Sequence, residues 1–232
     1  MNKTLFGATA ALLICSAFGA APALAAENPM DQAGIQHNMY LGCLMDTKAS
    51  PDDALVVLVE KCGYDPGMPL ERFIATRKPM IDAIDPTRPM TENLAGLRQE
   101  LSAYEFSFIA RMDQIVQNAG SLDAAAVQFE ELEREGIARL DPKSKNGALV
   151  LGGLSVLRHS ARYWSKFAAD TTSKYAGSPD PYNAWMMVVA YDVMGCLVFN
   201  NAELASLTSY IGFYILVSQG YFPLYADQEL SL

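Results

Sequence analysis

The stretch TENLAGLRQELSAYEFSFIARMDQIVQNA, residues 91–119, carries the reading on which the fold class rests. Leu94, Leu97, Leu101, Tyr104, Phe108, Met112, Ile115 and Ala119 recur at steps of three or four, which lines one face of a 3.6-residue helix. The spacing predicts a single long helix around which the rest of the chain is organised. Gly120 stands where a left-handed C-terminal cap would close that helix, and Ser121 is placed to cap the next.

Working outward, the same period recurs and strand alternation does not. Ser121 opens a helix to about Leu140, with Leu122, Phe129, Leu132 and Ile137 facing inward and Glu130, Glu131, Glu133 and Glu135 forming an acidic outer face. Residues 141–147 read as a linker and a sub-boundary. Beyond it Val150, Leu154, Leu157, Ala161, Trp164 and Ala168 form another stripe over residues 148–170. After a loop at 172–181, two strongly apolar helices are expected at 182–199 and 202–218.

Upstream, Asn28-Pro29 signals a helix running to about Met45, on which His37, Leu41 and Leu44 share a face. Ser50-Pro51-Asp52-Asp53 starts a second helix that stops at Gly63. Prolines 66, 69, 79, 86 and 89 divide the next segment, giving two short helices at 70–77 and 79–84. The fold class that follows is all-α, one irregular bundle of about seven helices over residues 26–232.

Residues 1–25 read as a secretory signal peptide: Lys3, then an apolar run, then Ala23-Leu24-Ala25 as the cleavage site. The chain is therefore expected to be periplasmic or secreted. Three cysteines, Cys43, Cys62 and Cys196, survive cleavage, and in an oxidising compartment two should pair. Cys43 with Cys62 is the preferred disulfide. A tight antiparallel hairpin would nevertheless hold those sulfurs on the order of 12 Å apart. Pairing through Cys196 stays open at this stage.

The net charge is −9, one unit more negative once Lys3 is removed, with no cluster of basic residues. Nucleic acid is an unsuitable partner for such a chain, because displacing phosphate counterions requires grouped Lys and Arg. No Walker loop, dinucleotide fingerprint or G-x-S-x-G elbow occurs, so no cofactor is implied. Two histidines and no H-E-x-x-H or paired C-x-x-C give no metal site. The two last apolar helices fall short of the roughly 20 residues a bilayer requires, so membrane insertion is not expected.

Asp192 stands out. It interrupts an otherwise uncharged apolar run at 185–199, and a carboxylate there costs several kcal/mol unless paired, with Arg158, Arg162 or a histidine as candidate partners. The opening Asn28-Pro29-Met30-Asp31-Gln32-Ala33-Gly34-Ile35-Gln36-His37-Asn38-Met39-Tyr40-Leu41 resembles the N-P-x-D-x-x-G-x-x-H-N-x-x-L opening of a set of exported bacterial helical proteins of undetermined activity. Tyr163-Trp164 and Tyr191-Asp192-Val193-Met194-Gly195 look similar to their Tyr-Trp pair and Ala-Asp-x-x-Gly segment, with Tyr191 in place of alanine. The resemblance implies an exported all-α protein and no catalytic assignment. It groups His37, Asn38, Trp164 and Asp192 as a candidate functional cluster, with the first helix docked by its His37 face near Asp192.

Three functions are compatible with these features. The leading one is a non-enzymatic binding protein of the bacterial envelope or of interbacterial competition, whose partner is a protein or envelope component. The second is a hydrolase using His37 with Asp31 or Asp192 as acid and base. The third is membrane activity through the apolar helical hairpin at the C-terminal end.

Overall fold

A computed structural model describes residues 27–85, 88–175 and 181–222, so the signal peptide expected at 1–25 lies outside the described residues. Within them there are nine α-helices, two short 3-10 turns and no strand, an all-α bundle. The helices are α1 (Asp31–Thr47), α2 (Ala54–Glu60), α3 (Leu70–Asp82), α4 (Met90–Asn93), α5 (Ala103–Asn118), α6 (Leu122–Arg139), α7 (Lys145–Tyr175), α8 (Pro181–Phe199) and α9 (Ala202–Ser218).

The centre is a closed ring of four helices: α1 packs on α7, α7 on α8, α8 on α9, and α9 back on α1. The long α7 runs through the core, and its residues 149–157 are all buried. It begins at Lys145 because the Ser144 hydroxyl accepts from the Gly147 N–H at 2.9 Å, a side-chain cap just after the Asp141 turn. Two glycines allow the ring to close tightly. A Cβ on Gly34 of α1 would lie 2.3 Å from His159 Cδ2 and 2.6 Å from the Ser155 carbonyl oxygen of α7. One on Gly195 of α8 would lie 1.9 Å from Thr208 Oγ1 and 3.0 Å from Ala205 Cα of α9.

Residues 91–119 do not form one helix. They break into α4, a 3-10 turn at Ala95–Gln99 and α5. Two side-chain constructions force the break. Ser102 and Glu105 form a reciprocal capping box that starts α5 afresh. Asp113, inside α5, accepts hydrogen bonds from Met90 N at 3.2 Å and from Thr91 N at 3.0 Å. In a straight helix those residues would be separated by roughly 30 Å or more, so the chain must double back. Gly120 is not a left-handed cap either; α5 ends through extended backbone at Ala119, whereas Ser121 does cap α6.

Pro79 also fails to divide its segment. α3 runs through it, because the N–H that proline lacks would have bonded to the carbonyl of Ala75, and both residues lie on the exposed side. Glu133, assigned to the acidic outer face of α6, instead points into the core. Of the other helices α9 coincides with the sequence reading, while α7 takes in residues 145–147 of the expected linker and runs to Tyr175, into the expected loop.

The Cys43–Cys62 disulfide forms, with 5.8 Å between Cα atoms. The objection from hairpin geometry fails because the hairpin is not tight. Lys48 turns left-handed, Pro51–Asp53 is 3-10, α2 lasts only seven residues, and Cys62 lies in the turn beyond its end. Cys196 is a buried free thiol. Such a disulfide fits an oxidising compartment. No helix among the described residues is long and apolar enough to cross a membrane. Replacing both cysteines by serine is expected to lower the unfolding free energy by about 3 kcal/mol, the value for a loop of this order, as measured by urea denaturation.

Candidate functional site

Asn28, Asp31, Gly34, His37 and Asn38 of α1 and its lead-in follow a helical spacing that sets them along one side of the helix, facing α7 and, at His37, α8. Asn28 starts the seam before the helix does. Its Oδ1 accepts from Met30 N at 2.8 Å, and its Nδ2 donates to Glu133 Oε1 at 2.7 Å and to the Leu151 carbonyl at 2.9 Å.

Next comes an ionic group at the outer end of the seam. Arg158 of α7 is held between Asp31 and Glu133, donating from Nη2 to the first and from Nε to the second. His159 Nε2 lies 3.0 Å from the same Asp31 oxygen. Ser155 closes the group, accepting from Gly34 N at 3.1 Å and donating to the Asp31 carbonyl at 3.1 Å. Asp31 thus meets His159 and Arg158, not His37. Burial alone would raise the Asp31 carboxyl, but the His159 hydrogen bond and the Arg158 charge outweigh it and hold it below its ordinary value.

The inner end of the seam brings the four candidate residues together. Asn38 Nδ2 donates to the His159 carbonyl at 3.0 Å and its Oδ1 lies 2.9 Å from His37 Nδ1. His37 Nε2 then lies 4.0 Å from Asp192 Oδ1, with both side chains fully buried. The other Asp192 oxygen accepts from the Ser160 hydroxyl and from Trp164 Nε1, the latter at 3.0 Å. Trp164 is locked by Phe213 and Trp185, each with its ring centroid 5.4 Å away.

Burial pushes the two titratable groups of this centre in opposite senses. It lowers His37, against the pull of the Asp192 charge, and it raises Asp192, against His37, Ser160, Ser209 and Trp164. Each is driven toward its neutral form. Tyr163, beside this centre, is pushed up to about 12 by burial and by Asp46 and Asp192.

Asp192 therefore faces a histidine across 4.0 Å, whereas Arg158 is taken by Asp31 and Glu133 and Arg162 by Glu130. Sequence reading missed Ser160 and Ser155, placed Glu133 on the outer face, and offered Arg158 to Asp192 where it pairs with Asp31 and Glu133. The signal was available: Ser155 and His159, and Ser160 and Trp164, stand four apart on α7, and Glu133 is four residues from the inward Phe129. Among the described residues no three of His, Cys, Asp and Glu gather so as to hold a metal ion. A separate open groove lies between α5 and α6, walled by Arg111, Gln114, Asn118, Gln128 and Glu131.

Compared with protein families, with curated protein sequences and with solved structures, the chain finds no match.

Two outcomes are expected from this geometry. Arg158→Met leaves the buried Glu133 carboxylate without its cation and should cost about 3–5 kcal/mol in urea unfolding, far more than Arg162→Met, whose pair is exposed. The second concerns pH. A histidine whose folded value is depressed loses stability as pH falls below its ordinary 6.5, because the unfolded chain takes up the proton first. In an Asp192→Asn background the supporting charge is gone, so stability should fall more steeply on acidification below that value. Adding His37→Gln should remove the histidine's share of that slope and leave the share that comes from losing Asp192, whose raised value opposes the fall.

Proposed function

We propose that this is an exported, periplasmic or secreted, non-enzymatic helical protein that acts by binding a protein or envelope component through its outer surface. The motif of α1 serves as an internal clamp in this reading. The observation that carries it is the burial of His37 and Asp192, both without solvent access, at the end of a seam whose polar groups bond chiefly to one another. A catalytic acid or base must touch substrate, and these two side chains are fully buried. The disulfide and the resemblance of residues 28–41 to exported helical proteins support placement outside the cytoplasm.

The partner surface is open to a direct test. Met39 on α1 and Val127 on α6 are large apolar side chains, each 57% exposed. With a photo-crosslinking residue at either position, cells expressing the chain should yield a discrete envelope adduct, while His37→Gln protein shows the same adduct. Turnover of an ester, amide or glycoside by the wild type, lost in a folded His37→Gln variant, would overturn the reading. Mass spectrometry of the exported chain should find Ala26 at its N-terminus.

A further inference from the structure

The ring of four helices has one polar point at its middle, and every helix contributes to it. α1 brings His37, α7 brings Ser160 and Trp164, α8 brings Asp192, and α9 brings Ser209, whose hydroxyl faces the Asp192 carboxylate. All five side chains are buried.

The hydrogen-bond count at this point does not close among protein atoms. Asn38 donates through Nδ2 to the His159 carbonyl, so the atom it turns to His37 is an acceptor. His37 must therefore carry its hydrogen on Nδ1, which leaves Nε2 as a lone pair aimed at Asp192. The 4.0 Å from Nε2 to Oδ1 is beyond hydrogen-bond reach. Asp192 Oδ2 has two donors, whereas Oδ1 has none. Ser209 Oγ also completes no hydrogen bond of good geometry. His37 Nε2 of α1 and Asp192 Oδ1 of α8 are left 4.0 Å apart, and Ser209 of α9 borders the same carboxyl group.

We infer that this point is a binding site for a single internal water molecule, held by His37 Nε2, Asp192 Oδ1 and Ser209 Oγ. Water is the ligand whose donors and acceptors fit. With Asp192 ionised, the water donates one hydrogen to Nε2 and the other to Oδ1, and accepts from the Ser209 hydroxyl. With the proton on Oδ1, it accepts that proton's hydrogen bond, donates to Nε2 and gives its second hydrogen to Ser209 Oγ. Either way all three atoms are satisfied, within the two to four partners usual for a buried water. Two hydrogen bonds of about 2.8 Å meeting near a right angle span a gap of this width. A metal ion fits poorly, since one nitrogen, one carboxylate oxygen and one hydroxyl fall short of the roughly four ligands such ions take.

The water joins α1 to α8 and α9, completing on one side of Asp192 what Ser160 and Trp164 of α7 do on the other. The test is a crystal structure at atomic resolution together with nitrogen NMR of His37 and water-oxygen relaxation dispersion. A density peak within hydrogen-bond distance of all three atoms is expected, with His37 neutral and protonated on Nδ1. Ser209→Val, which puts a methyl group in the gap, should remove one long-lived water from the relaxation amplitude, and Ser209→Thr should retain it. Direct contact between Nε2 and Oδ1 with no density between them would overturn the inference, as would a doubly protonated His37 ring. If Ser209→Val fails to fold, the wild-type density and ring protonation decide the matter alone.

Discussion

The structure depends on one constraint: an acidic side chain, Asp192, stands buried at the centre of the four-helix ring. Left alone there it would cost several kcal/mol, so each neighbouring helix has to present a polar group at one height. α7 meets it with Ser160 and Trp164, four residues apart and hence one above the other on the same face. α1 meets it with His37, which in turn requires Asn38 to hold the ring and the His159 carbonyl to hold Asn38. Sliding α1 along α7 by one residue would break each of these contacts. The register of the first helix is set by chemistry, while the apolar side chains around it supply most of the energy of burial.

The same logic explains the small residue at position 34. Polar pairs along the seam can meet only if the two backbones approach closely, and Gly34 is where they do, with Ser155 accepting its N–H. At the outer end Arg158 balances two carboxylates, one of them buried, and ties α6 to the seam as well. The Asn28, Asp31, Gly34, His37 and Asn38 positions of that pattern are thereby accounted for as a docking strip. Each of these contacts joins one helix of the bundle, or its lead-in, to another.

Much of the architecture follows from apolar period alone, and the misreadings have physical causes. In residues 91–119 Leu94, Leu101, Phe108, Met112 and Ala119 of the stripe are buried on both sides of the break, whereas Tyr104 of the same stripe is exposed and Phe106 and Ile109, outside it, are buried. Periodicity records which face is wet, not where backbone bonds stop. The Ser102–Glu105 capping box was visible in the chain as S-A-Y-E, a start signal standing inside the stripe. The fold-back onto Asp113 was not visible, since it depends on contacts 22 and 23 residues apart. Glu133 was misplaced because charge outweighed position: it lies beside the inward Leu132, yet three other glutamates nearby suggested a solvated face. The candidate cluster was found by adding a resemblance to an energetic oddity, and the seam that links it to Asp31 needed coordinates.

The central claim, that His37 and Asp192 act as one buried unit holding α1 in the ring, is tested most directly by a double-mutant cycle. Urea unfolding of the wild type, His37→Gln, Asp192→Asn and the double variant at neutral pH isolates the coupling between the two sites. The account predicts a coupling of about 1–3 kcal/mol, with the double variant less destabilised than the two single losses together. Strict additivity, within about 0.5 kcal/mol, would contradict it.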